Sequence, residues 1–344
     1  MRIALTILSL MVVLTPAQAI SFPWFGKKPI DINPAIQTEQ AQKYYEAGLE
    51  AQRAGKLRKA LSNYKKIYKK FPASAYTAQS LYNTGVIEFE RGKWKKSASA
   101  FQAVLIYHAD FPLFNEMIEY QFRIAMELAS GEGARFLFFL KSRAYNRAVS
   151  YFELVIQNAP YSNLAPLALM NVALIHQFQG NIAEAIDALD RLINSYPQSL
   201  LADDAYLSLA ETFATLVQGP EYDQGATREA MSYFEDFLIL YSQNEGVVRA
   251  EKGLADMEDV YARSKLVIGQ YYFKYRRWYR AAEIFFNEAI TVAPDSPAAD
   301  TARTYLARIE EIRANYTPPP QETREQKAEK SFIKRLGDAM IFWK

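Results

Sequence analysis

Residues 55–72 read GKLRKALSNYKKIYKKFP, and the interpretation of the whole chain starts from this stretch. A glycine opens it, the small residue Ala60 follows five positions later, the large residue Tyr64 comes four positions after that, and a proline ends it. Residues 180–197, GNIAEAIDALDRLINSYP, repeat the design. A spacing of four places the small and large residues on one helical face, and proline stops the helix because it lacks an amide hydrogen. We therefore predict a repeated helical unit.

The small-to-large spacing recurs six times along the chain. The pairs are Ala60/Tyr64, Ser97/Phe101, Ala148/Phe152, Ala185/Leu189, Ala230/Phe234 and Ala282/Phe286. Four pairs have proline twelve residues after the small residue, and three have glycine five residues before it, which predicts a tight turn between two helices in each unit. Each preceding helix has its own large residue four positions before a small one, at Tyr44/Gly48, Leu81/Gly85, Leu169/Ala173 and Tyr206/Ala210. We expect the large member to point outward and the small one to admit the partner helix.

These spacings resemble the tetratricopeptide repeat (TPR). The resemblance implies an all-α, right-handed TPR superhelix of about six helix pairs over residues 41–314, ending in a capping helix. Intervals longer than the usual repeat predict insertions at 131–137 and 218–226. We predict an extended segment at 20–40, a proline-rich and charged linker at 315–330, and a separate amphipathic tail helix at 331–344.

The N-terminus is typical of an export signal. Arg2 precedes an apolar run over residues 3–14, and Ala17-Gln18-Ala19 is a small-x-small cleavage site, so residues 1–19 are predicted to be a signal peptide; an uncleaved anchor is the alternative. The absence of cysteine excludes disulfides, a cysteine nucleophile and a lipid-modified cysteine in this sequence. These features favour the bacterial periplasm, with full secretion as the alternative. With 40 Lys+Arg against 38 Asp+Glu, the chain lacks the basic excess of a nucleic-acid binder.

Within the repeat proteins, several stretches resemble the BamD (ComL/YfiO) family. They are Gln157 to Ser162, Leu164 to Pro166, Arg228 to Phe234, Leu254 to Lys265, Gln270 to Tyr272 and Trp278 to Ala282. The resemblance implies a non-enzymatic scaffold at the inner face of the outer membrane, with a BamA-like insertase and unfolded outer-membrane proteins as partners. The sequence departs from that family in having no lipidated cysteine and one more repeat. An adaptor of another envelope machine, in cell division, peptidoglycan or secretion, is the alternative.

In a TPR array the inner groove is lined by fixed positions of each first helix. In the first two repeats, the predicted client-binding residues at these positions are Tyr45, Leu49, Arg53, Tyr82 and Phe89. The other residues that line the groove there are Gln42, Gln52, Gln79, Val86 and Glu90. The aromatic rings would stack on an extended client, or alternatively they pack between repeats. The second helix of the first repeat is strongly basic and would face anionic lipid, an acidic partner or only solvent.

The C-terminal part offers two further candidate surfaces. Tyr271, Tyr275 and Trp278 lie in an aromatic and cationic cluster of the type found at interface hot spots. Packing of Trp278 and Tyr279 between the repeats is the alternative. Phe332, Leu336, Met340 and Trp343 have helical spacing in the tail. We expect them to dock on a partner or at a membrane interface, and folding back on the array is the alternative.

The sequence does not predict a catalytic site. The chain has two histidines, His108 and His176, far apart in the array, and no cysteine. We expect neither a metal site nor a cofactor, and we predict that the protein is not an enzyme.

Overall fold

The computed structural model describes residues 33–130 and 138–315, with side chains from residue 143 onward in the second range, and the single positions Ser331 and Lys334. The predicted signal peptide, the insertion at 131–137 and the tail residues Phe332, Leu336, Met340 and Trp343 lie outside these residues. The described part contains thirteen α-helices: α1 Pro34–Arg53, α2 Leu57–Lys70, α3 Tyr76–Glu90, α4 Trp94–Tyr107, α5 Phe114–Ala129, α6 Phe138–Asn158, α7 Leu164–Gln179, α8 Ile182–Ser195, α9 Ala202–Ala214, α10 Gly225–Leu240, α11 Val247–Tyr271, α12 Tyr279–Val292 and α13 Pro297–Ala314.

The helices form six consecutive pairs and one final helix, which confirms the predicted all-α TPR array. The chain divides into two compact units, residues 1–202 and residues 203–344. The predicted insertion at 218–226 corresponds to the connection between α9 and α10. The final helix α13 begins at Pro297 because the Ser296 side chain accepts a hydrogen bond from the Ala299 amide and caps it.

The first helix begins earlier than predicted. Residues 34–40 were expected to be extended, but they form the first two turns of α1, so that expectation is wrong. The reason is a local start signal: the Asn33 side chain accepts from the Ala35 amide, and Pro34 occupies the first helical position. The added turns are anchored by Gln37, which is 1% exposed and accepts a hydrogen bond from the Ala73 amide.

The predicted small-to-large pairs form the interior of each repeat. All six large members are between 0% and 2% exposed. Three of them meet a glycine of the preceding helix: a Cβ atom on Gly48, Gly85 or Gly269 would lie 2.5, 2.5 or 2.6 Å from the ring of Tyr64, Phe101 or Phe286, respectively. The large residues of the first helices were expected to point outward, but Leu81 and Leu169 are 4% and 1% exposed. They are buried because α3 packs on both α2 and α4, and α7 packs on both α6 and α8.

The first unit also contains a buried amide triad that joins three successive helices. Gln102 of α4 accepts hydrogen bonds through Oε1 from Gln121 Nε2 of α5 at 2.9 Å and from Asn158 Nδ2 of α6 at 2.8 Å. Asn158 Nδ2 also donates to Gln121 Oε1 at 2.9 Å. Since Gln121 is fully buried, the triad lets polar groups enter the interior without losing their partners.

The second unit has two separate apolar clusters. The first joins α9, α10 and α11 around Phe234 and Phe237. The second joins α11, α12 and α13 around Phe286, on which Tyr305 stacks at 5.0 Å. The 25-residue helix α11 therefore contributes to both clusters, one near each of its ends.

Candidate functional site

The predicted groove residues of the first repeat are only partly available to a ligand. Tyr45 is half-buried and stacks on Tyr76 with 4.6 Å between ring centroids. Burial raises the pKa of the Tyr45 hydroxyl, and a hydrogen bond to Asn83 opposes the shift. Leu49 is half-buried and Arg53 is exposed. Arg53 is therefore the member of this group that is open to solvent.

Tyr82 was predicted to contact a client and is instead part of the interior. Only 8% of it is exposed, its ring lies 5.9 Å from Phe101 and 5.8 Å from Phe111, and its hydroxyl donates a hydrogen bond to Glu116. Burial, followed by the Glu116 carboxylate, raises its pKa far above the usual value. The client-binding prediction is wrong for this residue, because the next repeat closes over the ring.

Phe89, the other aromatic prediction in the second repeat, is half-buried and lies under a cation. The Arg123 guanidinium lies 4.7 Å from the centre of its ring, and Tyr120 meets it edge-on at 5.0 Å. Side chains of the protein itself therefore occupy part of the Phe89 ring surface, and only the remainder is available to a ligand.

The fourth repeat contains an exposed apolar surface that the sequence analysis missed. Leu167, Leu174 and Phe178 of α7 are 38%, 50% and 67% exposed, and Met126 of the contacting helix α5 is 42% exposed. We call these four residues the α7 strip. On α7 they are separated by seven and four residues, which places them on one helical face. The groove positions assigned in the first two repeats point to the same residues here, so extending that rule to the fourth repeat would have found them.

The predicted C-terminal cluster is exposed. Tyr271, Tyr275 and Trp278 are 50%, 77% and 59% exposed, and we call them the α11–α12 corner. The rings of Tyr271 and Tyr275 lie 5.9 Å apart. Trp278 contacts Tyr272 at 5.7 Å, and Tyr272 stacks in turn on the half-buried Phe285. The predicted alternative, that Trp278 and Tyr279 fill the array interior, applies to Tyr279, which packs against the cluster around Phe286, and not to the exposed Trp278.

The backbone at the corner differs from the other turns. Residues Tyr272–Arg276 form a π-helical turn, and Arg277 has φ of 49°, the one positive φ at a non-glycine residue in the described part of the chain. Gly55, Gly92 and Gly180 hold the equivalent place in three other repeats, five residues before the small residue, with φ of 68°, 64° and 75°. L-residues rarely adopt this conformation, and π turns in helices concentrate at functional sites.

A one-residue insertion explains the π turn. Gly85 precedes the turn glycine Gly92 by seven residues, whereas Gly269, which meets Phe286 in the same way, precedes Arg277 by eight. The extra residue is accommodated by a hydrogen bond that spans one more residue. The Trp278 amide donates to the Tyr272 carbonyl six residues back, whereas at the turn of the second repeat the Lys93 amide donates to the Glu88 carbonyl five residues back. The corner is therefore an addition to the repeat rather than a part of its packing.

Charge at the corner is positive. Lys274, Arg276 and Arg277 are all exposed, and the Lys274 ammonium lies 5.7 Å from the centre of the Tyr305 ring. Exposed aromatic rings beside arginine are the composition of protein interface hot spots. The arrangement can hold an acidic or aromatic segment of another polypeptide.

The two histidines, His108 and His176, lie in different repeats. Residues 33–130 and 138–315 contain no group of three or more His, Cys, Asp or Glu side chains able to hold a metal ion. Burial lowers the pKa of His108, and Asp110 partly opposes that shift. His176 lies in the last turn of α7, where its Nδ1 is 3.4 Å from the side-chain nitrogen Nδ2 of Asn181. In the same described ranges, the helices are too short or too polar for any of them to cross a membrane.

Comparison with known proteins gives matches in both halves of the chain. The family described as YfiO, outer membrane lipoprotein, matches residues 135–327, and a tetratricopeptide repeat family matches residues 45–112. The outer membrane protein assembly factor BamD of Caulobacter vibrioides is 28% identical over 130 residues, covering 38% of this chain and 43% of that protein. BamD of Rickettsia prowazekii is 23% identical over 135 residues, covering 39% and 54%. The chain thus spans about half the length of these curated relatives.

Solved structures of TPR proteins are also similar to this chain, at low identity. A thermophilic TPR protein of Thermus thermophilus is 12% identical, with 62% of this chain and 98% of that chain covered and a TM-score of 0.32. A TPR protein from Parabacteroides merdae is 14% identical, with 77% and 97% covered and a TM-score of 0.31. Because the family match over residues 135–327 spans more than half of the sequence, this all-α TPR protein belongs to the YfiO family of outer membrane lipoproteins.

Proposed function

We propose that this protein is a non-enzymatic scaffold in the assembly of outer-membrane β-barrel proteins, working at the periplasmic face of the outer membrane. The BamD relatives are named outer membrane protein assembly factors, and the proposal transfers that role to this chain. The observation that carries it is the α7 strip, an exposed apolar surface at groove positions of a repeat array in a chain of this family.

The α7 strip has the dimensions of an extended client segment. Leu167 and Phe178 are eleven residues apart, which corresponds to roughly 16 Å along a helix. A barrel strand alternates apolar and polar residues, so its apolar side chains recur about every 7 Å. About three such side chains of one unfolded strand therefore span the strip. The apolar contact excludes water, and the repeat array supplies a rigid support that costs little to order on binding.

The α11–α12 corner is proposed to hold the second partner, an insertase resembling BamA. Tyr275 and Trp278 offer large rings that are already ordered by neighbouring rings, and Arg276 and Arg277 add charge-assisted hydrogen bonding to acidic groups. The two surfaces belong to different compact units, so each can be removed by substitution while the other remains folded.

The test is affinity purification from the native envelope in gentle detergent, comparing three double variants with the unaltered protein. The strip variant carries Leu174→Ser and Phe178→Ser, and the corner variant carries Tyr275→Ser and Trp278→Ser. The control carries Leu200→Ser and Tyr222→Ser, which remove exposed apolar side chains, 95% and 61% exposed, outside both surfaces. Mass spectrometry quantifies the co-purifying chains.

We expect the strip variant to lose barrel precursors while keeping the insertase, and the corner variant to lose the insertase, each by roughly tenfold or more, as hot-spot residues do. The control should match the unaltered protein. Recovery of cell-division, cell-wall or secretion components by the unaltered protein, without insertase or barrel precursors, would reject the assembly role in favour of another envelope machine.

A further inference from the structure

The outward face of α2 is entirely basic. Seven residues of this helix are exposed, and six of them carry positive charge: Arg58, Lys59, Ser62, Lys65, Lys66, Lys69 and Lys70. At 3.6 residues per turn they fall within about 140° of the helix circumference. The opposite side carries the buried residues Ala60, Tyr64 and Ile67. The helix contains no acidic residue, so the face presents uniform positive charge.

The fold does not dictate this charge. Helix α8 occupies the same place in the fourth repeat, and its exposed charged residues are Glu184 and Asp187. In α10, of the fifth repeat, Arg228 is outnumbered by Glu229, Glu235 and Asp236. A second helix needs only a polar outer face to stay in solution. The basic character of α2 is therefore not a requirement of the repeat and calls for its own explanation.

Neighbouring positions extend the positive surface. Lys56 precedes α2, and the start of the next second helix carries Lys93, Lys95 and Lys96, all exposed. Helix α1 of the same pair holds Glu39, Glu46 and Glu50 together with Lys43 and Arg53, so it changes the local charge by only one unit. The chain as a whole has a net charge of +2, which means that positive charge is concentrated here and offset elsewhere.

The composition of the face favours a membrane surface over a protein. Five of its six cations are lysine, a residue depleted from protein interfaces, whereas arginine and aromatic side chains are enriched there. Lysine is a compact point charge without the planar fork that pairs with a carboxylate in one geometry. None of the seven exposed residues of α2 is apolar, so the face lacks an anchor for a protein pocket. A dense layer of phosphate groups needs neither feature.

We propose that the basic face of α2 docks the first repeat on anionic phospholipid headgroups. The helix is 14 residues long and offers a straight row of charges over roughly 20 Å, enough to contact several headgroups at once. Attraction of this kind is additive over the charges and is weakened by salt. The inference is independent of the assembly role, since it concerns a different face and a different class of ligand.

Vesicle co-sedimentation of the full mature chain tests the proposal. The vesicles are phosphatidylglycerol mixed with phosphatidylcholine, or phosphatidylcholine alone. The test variant carries Arg58→Gln, Lys59→Gln, Lys66→Gln and Lys70→Gln. The matched control removes four exposed positive charges elsewhere through Arg228→Gln, Lys252→Gln, Arg280→Gln and Arg308→Gln. Circular dichroism confirms that both variants keep the helix content of the unaltered protein.

We expect the unaltered protein and the control to bind the anionic vesicles and to release as salt rises. Each neutralised charge of α2 should weaken this binding roughly fivefold, so the test variant should lose more than about a hundredfold. Equal binding to phosphatidylcholine vesicles, or unchanged binding by the test variant, would overturn the proposal. Binding to soluble poly-glutamate without binding to anionic vesicles would also overturn it and would assign the face to an acidic polypeptide.

Discussion

The second and sixth helix pairs share one packing scheme and differ at the turn. In α3/α4 a Cβ atom on Gly85 would lie 2.5 Å from the Phe101 ring, and in α11/α12 one on Gly269 would lie 2.6 Å from Phe286. The second pair then turns through a glycine, whereas the sixth inserts one residue and turns through Arg277. The difference shows that the interior of a repeat is independent of its turn, so an exposed aromatic corner can be added without repacking the core.

The largest effect tests the shared packing. Phe101→Ala and Phe286→Ala should each lower the free energy of unfolding by about 3–5 kcal/mol, because each removes a fully buried ring and leaves a cavity. Thermal and urea unfolding followed by circular dichroism measure the loss. Tyr275→Ala, which truncates an exposed ring, is the control and should change stability by less than about 0.5 kcal/mol. A much smaller loss for Phe286→Ala than for Phe101→Ala would show that the π turn loosens the sixth pair.

An intermediate effect tests the turn. Arg277→Gly should stabilise the protein by about 1 kcal/mol, because glycine adopts positive φ without the steric cost that a Cβ atom brings. Gly92→Arg should destabilise it by a similar amount, since a Cβ there meets no atom closer than 3.9 Å and only the backbone conformation is penalised. Denaturant unfolding of the two variants beside the unaltered protein provides the measurement. If Arg277→Gly were destabilising, the arginine side chain would be contributing more than its backbone conformation costs.

The smallest effect concerns the residue that directly follows the second helix of each pair. His108 follows α4. The same position is Phe71 in the first pair, Tyr196 in the fourth and Ala293 in the sixth. Burial lowers the pKa of His108 in the folded protein, so the unfolded chain binds the proton more tightly. Its contribution to stability is therefore complete above the unfolded pKa of about 6.5 and is lost as the pH falls below it.

We expect His108→Phe to reduce the fall in melting temperature between pH 7 and pH 5. His176 is present in both proteins and cancels in the difference. An equal fall in the two proteins would mean that His108 is solvated in the folded state as it is in the unfolded chain.

Residue spacing was enough to predict the helix pairs, because each depends on a local contact between a small residue and a large one. The sequence also contains the signal for the start of α1, because Asn33-Pro34 is a helix-capping pair. That pair lies before the repeat pattern from which the start of the array at residue 41 was predicted. Tyr82 could not be placed from its own repeat. Whether its ring faces solvent is decided by Phe111 and Glu116, which follow about thirty residues later in the sequence.

The composition of the α11–α12 corner predicted an exposed cluster, but the sequence did not predict the backbone geometry of its turn. The aromatic and basic residues from Tyr271 to Tyr279 predicted an interface, yet the turn glycine that marks the other repeats is missing there, which hid the one-residue insertion. The α7 strip was missed for another reason. Leu167, Leu174 and Phe178 look like ordinary core residues until the groove positions are counted in the fourth repeat.

The amide triad of Gln102, Gln121 and Asn158 limits how this array can be rearranged. Tandem repeats are often treated as interchangeable modules that can be duplicated, deleted or replaced by a consensus unit. Here three neighbouring helices supply one another's hydrogen-bond partners, so a foreign module inserted between α4 and α6 would leave buried amides unpaired. Grafting or shortening of this array should therefore join the chain elsewhere and transfer α4, α5 and α6 as a single block.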